Sequence, residues 1–199
     1  MQLHYKGKYN ADDMDFLKRT HPSNAVEFKP LNSKKAGIII KIIFYLPAVF
    51  LFIYLLTIFS VRIKQLTGET RSLNIILPCV ISPFAVILHE FLHAICFKKD
   101  VYLYSNLSRL KLVAVGTEDM SKTRFIIMKL LPEFVLGVIP FVISLLVPQW
   151  VGLGFLGAFC IAIGTEDYII VANAIIQVPN DAMIYMSEMR YYWYKNDIY

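Results

Sequence analysis

Leu88-His89-Glu90-Phe91-Leu92-His93 places two imidazoles four residues apart, with a carboxylate next to the first. On a helix, positions four apart share a face, so His89 and His93 converge on one point while Glu90 reaches a water held there. The chemistry this pattern supports is zinc hydrolysis. Zinc with three protein ligands keeps one open position and lowers the pKa of the water in it from about 16 toward 7, and a nearby carboxylate then serves as general base. The other two histidines, His4 and His21, lie in a polar N-terminal stretch, so both histidines of the apolar part of the chain belong to this motif. The plain alternative is a helix whose histidines only hydrogen-bond to neighbouring helices; it gives no reason for a carboxylate beside them in an apolar run, where charge is costly.

A third ligand has to come from another element. Asp167 is the leading candidate, because it falls about as far into the last apolar run as His89 falls into the second, and at 1.5 Å per residue the two reach similar depth. Gly164-Thr165-Glu166-Asp167 also reads as an ordinary helix start, with Thr165 as N-cap and two acids complementing the helix dipole. The same four letters recur at Gly116-Thr117-Glu118-Asp119, where a ligand role is far less expected. Glu166, Glu133 and Asp181 stay open as alternatives. Glu133 reads either as the partner of Lys129 one helical turn away or, like Glu166, as an outer carboxylate that orients a zinc ligand. Asp181 follows Pro179 and belongs at a water interface.

The elements that must position these residues are membrane helices. With 57% hydrophobic and 18% charged residues in 199, the chain is more apolar and less charged than soluble domains. Runs at 37–61, 73–97, 125–147 and 150–178 are each long enough to cross the hydrocarbon core of roughly 30 Å. We therefore expect an all-α polytopic membrane protein with about four transmembrane helices, the fourth being one tilted helix or two pieces broken near Gly164. Pro78 and Pro83 predict a kink in the second. Gly152, Gly154, Gly157, Ala158 and Ala162 give the fourth a small-residue face for close helix approach. Residues 1–36 form a cytoplasmic N-terminal segment, 37–178 the metallopeptidase-like domain and 179–199 an interfacial tail, whose Tyr185, Tyr191, Tyr192, Trp193, Tyr194 and Tyr199 read as an aromatic belt. Between helices two and three, Val101-Tyr102-Leu103-Tyr104 and Leu110 to Val115 predict a small β-hairpin, whose edge would suit an extended substrate.

Charge and cysteine usage narrow the class further. Lys98, Lys99, Arg109, Lys111, Lys122 and Arg124 lie between helices two and three, and Arg190 and Lys195 follow the fourth. By the positive-inside rule both termini are expected in the cytoplasm, and the net charge of +5 is topology, not nucleic-acid affinity. No cleavable leader is visible ahead of the first apolar run, which is expected to remain as an anchor. Cys79, Cys96 and Cys160 all sit in apolar runs, at spacings that indicate neither disulfides nor a cysteine zinc site.

These residues carry a resemblance. Leu3-His4-Tyr5-Lys6-Gly7-Lys8-Tyr9, the stretch from Pro22 to Pro30, His89–His93, Met120-Ser121-Lys122, Leu131-Pro132, Asp167 and Pro179 together resemble the zincin-peptidase family of membrane proteins of otherwise unknown function, motif relatives of the site-2 intramembrane metalloproteases. The family's Gly-Asp pair is matched here by Glu166-Asp167, so the aspartate is kept and the glycine is not. The resemblance implies a zinc peptidase fold and strengthens Asp167 as ligand; it names no substrate.

The expectation is thus a multi-pass protein of the bacterial cell membrane holding one zinc ion on His89, His93 and Asp167, with Glu90 as general base. Its partners would be the bilayer and a membrane-associated protein or peptide substrate, cut near the cytoplasmic face. The rival reading is a non-catalytic membrane protein or accessory subunit with a structural metal site, which needs ligands but no general base.

Overall fold

A computed structural model describes residues 2–8, 18–29, 34–106 and 111–195, and the side chains of part of the first helix are also outside the description. In chain order the elements are β1 (Leu3–Lys8), β2 (Val26–Glu27), α1 (Lys34–Gln65), α2 (Gly68–Ile95), β3 (Val101–Asn106), β4 (Lys111–Gly116), β5 (Met120–Ser121) and α3 (Lys122–Pro132). A π-helical turn (Glu133–Val138), α4 (Ile139–Leu146), a 3-10 turn (Pro148–Trp150), α5 (Val151–Ile163), α6 (Thr165–Gln177), β6 (Ala182–Ser187) and β7 (Arg190–Lys195) follow. Tyr9, Pro30, Arg109, Leu110 and Tyr199 lie outside the described residues.

The chain divides into two compact units. The first comprises Met1–Ser33, Glu90–Lys129 and Ile170–Tyr199 and holds the sheets. One sheet has the order β1-β3-β4, with β1 parallel and β4 antiparallel to β3; the other has the order β2-β7-β6-β5 and is antiparallel throughout. The all-α expectation is corrected on this point. The hairpin expected between helices two and three is present as β3 and β4, paired from Val101↔Gly116 to Asn106↔Lys111. The aromatic tail is itself a strand pair: β6 and β7 meet across Glu188 and Met189, both at positive φ (48° and 63°), the conformation of a turn that follows the twist of its strands. Ala94, Phe97, Phe125, Met128, Ala174 and Ile184 are among the buried side chains of this unit's core, which ties helix ends to the second sheet.

The second unit, Lys34–His89 and Leu130–Ile169, is helical. Its small residues are used for close packing: a Cβ on Gly157 would come within 2.6 Å of the Gly137 carbonyl oxygen, and one on Gly152 within 2.6 Å of the Asn74 carbonyl oxygen. Asn74 secures that approach. Its Oδ1 accepts from the Gly152 N–H at 2.7 Å, and its amide donates to the Gln149 carbonyl at 2.7 Å. The α2 helix continues unbroken through Pro78 and Pro83. The fourth apolar run is two helices, α5 and α6, bent by 49° across Gly164.

Two helices among the described residues, Gly68–Ile95 (28 residues) and Lys122–Leu146 (25 residues), are long and apolar enough to cross a membrane, or three if the bent pair is one crossing. The first expected crossing, 37–61, lies in α1, part of whose side chains are outside the description. Along α2, Leu73, Ile76, Leu77, Val80, Phe84, Ile87 and Leu88 are exposed at intervals of one to four residues, a continuous apolar stripe of a kind soluble monomers rarely leave open.

Candidate metal centre

His89 and His93 sit one turn apart on α2, and their side chains are buried at 6% and 4% exposure. Asp167 arrives from the first turn of α6 and is equally buried, at 8%. Its helix starts where the chain bends at Gly164, and Thr165 does not cap it: the Thr165 hydroxyl turns back to donate to the Ala162 carbonyl at 2.7 Å. The expectation of Thr165 as N-cap is corrected accordingly, because a hydroxyl already inside the helix is closer to the carbonyl three residues back than to the free amides ahead. Asp167 points to the histidines. Its Oδ2 stands 3.2 Å from His89 Nε2, and one donor atom from each of His89, His93 and Asp167 lies within 4.8 Å of the others.

These donors fit a zinc ion. With bonds of about 2.0–2.2 Å, two ligands of a tetrahedral zinc stand about 3.3 Å apart, close to the observed His89–Asp167 separation of 3.2 Å. The His93 ring is fixed by its own hydrogen bond, Nδ1–H donating to the Met128 carbonyl at 2.9 Å. That bond selects the tautomer with Nε2 free to bind metal. Two imidazoles and a carboxylate favour zinc over harder ions.

Glu90 differs from the donors. It is half-buried, and its Oε2 accepts the main-chain N–H of Ala114 in β4 at 3.3 Å.

The other acidic candidates separate clearly. Glu133 is buried at 3% exposure, with Oε1 3.9 Å from His89 Nε2. Lys129, one helical turn before it, has Nζ 5.7 Å from the centre of the Tyr191 ring among its contacts. Glu166 is exposed. Asp181 is exposed and paired with Lys195 at 3.2 Å, and the hydrogen bond from that ammonium holds its carboxyl below the usual carboxylate range. Asp119 takes a two-pronged bond from Arg19 (2.5 and 2.9 Å), which in turn raises the guanidinium's pKa.

Sequence reasoning missed the groups that steady the end of α2. Glu118, buried at 5%, accepts the main-chain N–H groups of Lys98 (2.8 Å) and Lys99 (2.7 Å) and pairs with Arg124, which donates to the Cys96 carbonyl at 2.6 Å. Helix ends leave carbonyls without internal partners, so this pair fixes where the histidine-bearing helix stops. The available signal was the repeated Gly-Thr-Glu-Asp string, whose first copy serves this purpose.

A family model described as "Putative zincin peptidase" matches residues 82–183, just over half of the chain. The chain belongs to this zincin-peptidase family. The matched stretch contains His89, Glu90, His93, Glu133 and Asp167, so family membership covers every residue brought together above. No curated protein and no solved structure matches this zincin-family chain.

Proposed function

We propose that the chain is a membrane-embedded zinc metallopeptidase that hydrolyses peptide bonds of a membrane-associated protein or peptide near the cytoplasmic face. The observation that carries this reading is the convergence of His89, His93 and Asp167 donor atoms within 4.8 Å, on the same helix turn that presents Glu90.

His89, His93 and Asp167 would hold the ion, and a zinc bound there supplies a Lewis acid and an acidified water. Glu90 takes the proton of the attacking water and returns it to the leaving amine nitrogen, converting a poor leaving group into a neutral one. The Met128 carbonyl and the Ala114 amide hold His93 and Glu90 in place for this, at 2.9 and 3.3 Å.

The membrane setting is supported by two helices of 28 and 25 residues, about 42 and 38 Å long at 1.5 Å per residue, against a core of roughly 30 Å. The lysines and arginines after α2 support placing the site near the cytoplasmic face. A substrate in or on the membrane meets such a site more readily than a folded soluble chain does.

Burial of all three donors favours a second reading, a metal that only holds helices together. Metal content of the detergent-purified chain, measured by mass spectrometry beside His93→Ala, Asp167→Ala and Glu90→Gln, separates the two when combined with a comparison of new protein termini in membranes. The peptidase reading expects zinc at about one per chain, lost in the first two variants and kept in Glu90→Gln, with cleavage products present for wild type and absent for Glu90→Gln. Products unchanged in Glu90→Gln would establish the structural site; well-folded wild type without zinc would overturn both.

A further inference from the structure

Glu133 has no place in the reaction as written, yet three observations bring it to the metal centre. It is a carboxylate buried to 3% exposure inside an apolar helical unit, with Oε1 3.9 Å from the Nε2 of His89. It opens a π-helical turn, Glu133–Val138, within an otherwise α-helical stretch, and such turns concentrate at functional sites because the extra residue re-aims side chains. The third observation is at Gly164. Its φ of −71° suits any residue, so glycine is not required there for backbone reasons. A Cβ at that position would overlap the Glu133 side chain, Oε1 included. The missing side chain at the α5–α6 bend is therefore the space that the Glu133 carboxylate fills, three residues before Asp167.

We propose that Glu133 is the counter-charge of the metal centre, a positioning residue that raises affinity for a divalent cation without ligating it, and that Gly164 makes room for it. This rests on the zinc reading of the site. Two neutral imidazoles and the Asp167 carboxylate leave a divalent ion with one uncompensated positive charge among buried groups, a costly state away from water. Glu90 is half-buried and bonded to the Ala114 amide, and has to remain available as a base. Glu133, outside the set of donors that converge within 4.8 Å, completes neutrality of the buried shell while the fourth coordination position stays open.

The test is zinc affinity of the full chain in detergent, by competition with a chromogenic chelator, for wild type, Glu133→Gln, Gly164→Ala and Asp181→Asn. Cobalt(II) absorption spectra of the same proteins report the ligand set independently of activity. Glu133→Gln keeps size and removes charge, and is expected to weaken zinc binding about 10- to 100-fold, the range typical of partners outside the ligand set, with the cobalt spectrum unchanged in shape. Gly164→Ala, which displaces the same carboxylate, is expected to weaken it in the same direction and serves if Glu133→Gln does not fold. Asp181→Asn removes an exposed carboxylate and is expected to leave affinity unchanged. Wild-type affinity in both Glu133→Gln and Gly164→Ala overturns the proposal, as does a cobalt spectrum altered in Glu133→Gln, which makes Glu133 a ligand. Wild type that binds neither zinc nor cobalt instead overturns the metal reading on which the proposal stands.

Discussion

The main-chain N–H of Ala114 donates to the Glu90 carboxylate across 3.3 Å. Ala114 lies opposite Leu103 in the β3–β4 ladder, and alternate residues of an antiparallel strand turn their amides away from the partner. Ala114 thus faces outward from β4, which has no strand on its other side among the described residues. A strand edge thus holds the residue we assign as general base.

Ala114→Pro removes that one donor, and proline is tolerated where an edge N–H points away from the sheet. A hydrogen bond to a charged group contributes about 1.5–3 kcal/mol, so hydrolysis of a peptide identified by the Glu90 comparison is expected to fall about 10- to 100-fold. Zinc content should stay at the wild-type level. Steady-state rates beside metal analysis decide it, and an unchanged rate would remove Ala114 from the mechanism.

The two Gly-Thr-Glu-Asp strings supply an internal control. Asp167 stands 3.2 Å from His89 Nε2, whereas Asp119 pairs with Arg19. Asp167→Asn is expected to lower zinc affinity by more than the roughly 10- to 100-fold typical of groups outside the ligand set. Asp119→Asn is expected to leave zinc affinity alone and to lower thermal stability slightly, by up to about 1 kcal/mol for a partly exposed pair. Chelator titration and melting curves of both variants check this, and equal zinc loss in the two would dissolve the distinction.

Helix packing through Gly157 yields a stability prediction. An added Cβ would meet the Gly137 carbonyl oxygen at 2.6 Å and the Phe141 nitrogen at 2.7 Å; both are backbone atoms that cannot rotate aside. Gly157→Ala is therefore expected to destabilise the protein by about 1–3 kcal/mol, the usual range for overpacking. At Gly154 the nearest obstacle is the Ser144 hydroxyl oxygen, at 2.5 Å, which can turn. Gly154→Ala should be the milder of the two in a thermal melt, and the reverse order would refute the packing argument.

The site was more legible in the sequence than the fold. Histidines four apart have their relation fixed by helix geometry alone, and Asp167 could be matched to them by depth because helices advance at a constant rise. Strand pairing has no such local rule. β1 pairs with β3 across nearly a hundred residues, and β2 with β7 across more, so neither partner is written near the other. The β6–β7 hairpin was hidden for a different reason. Its turn residues, Glu188 and Met189, adopt positive φ without the Asn-Gly or Asp-Gly signature that announces such turns, and the aromatics around them read equally well as a membrane-interface belt. Glu133 is ambiguous in the sequence because Lys129, one turn away, offers an ordinary partner, and a π turn leaves no mark in hydrophobic periodicity.

The sheet β2-β7-β6-β5 also sets an order of assembly. A ribosome adding about 5–20 residues per second needs roughly 8–30 s after Val26–Glu27 before it reaches Arg190–Lys195, the strand that β2 pairs with. His89, His93 and Asp167 are all made within that interval. Every candidate metal donor is therefore synthesised before the strand that closes the sheet.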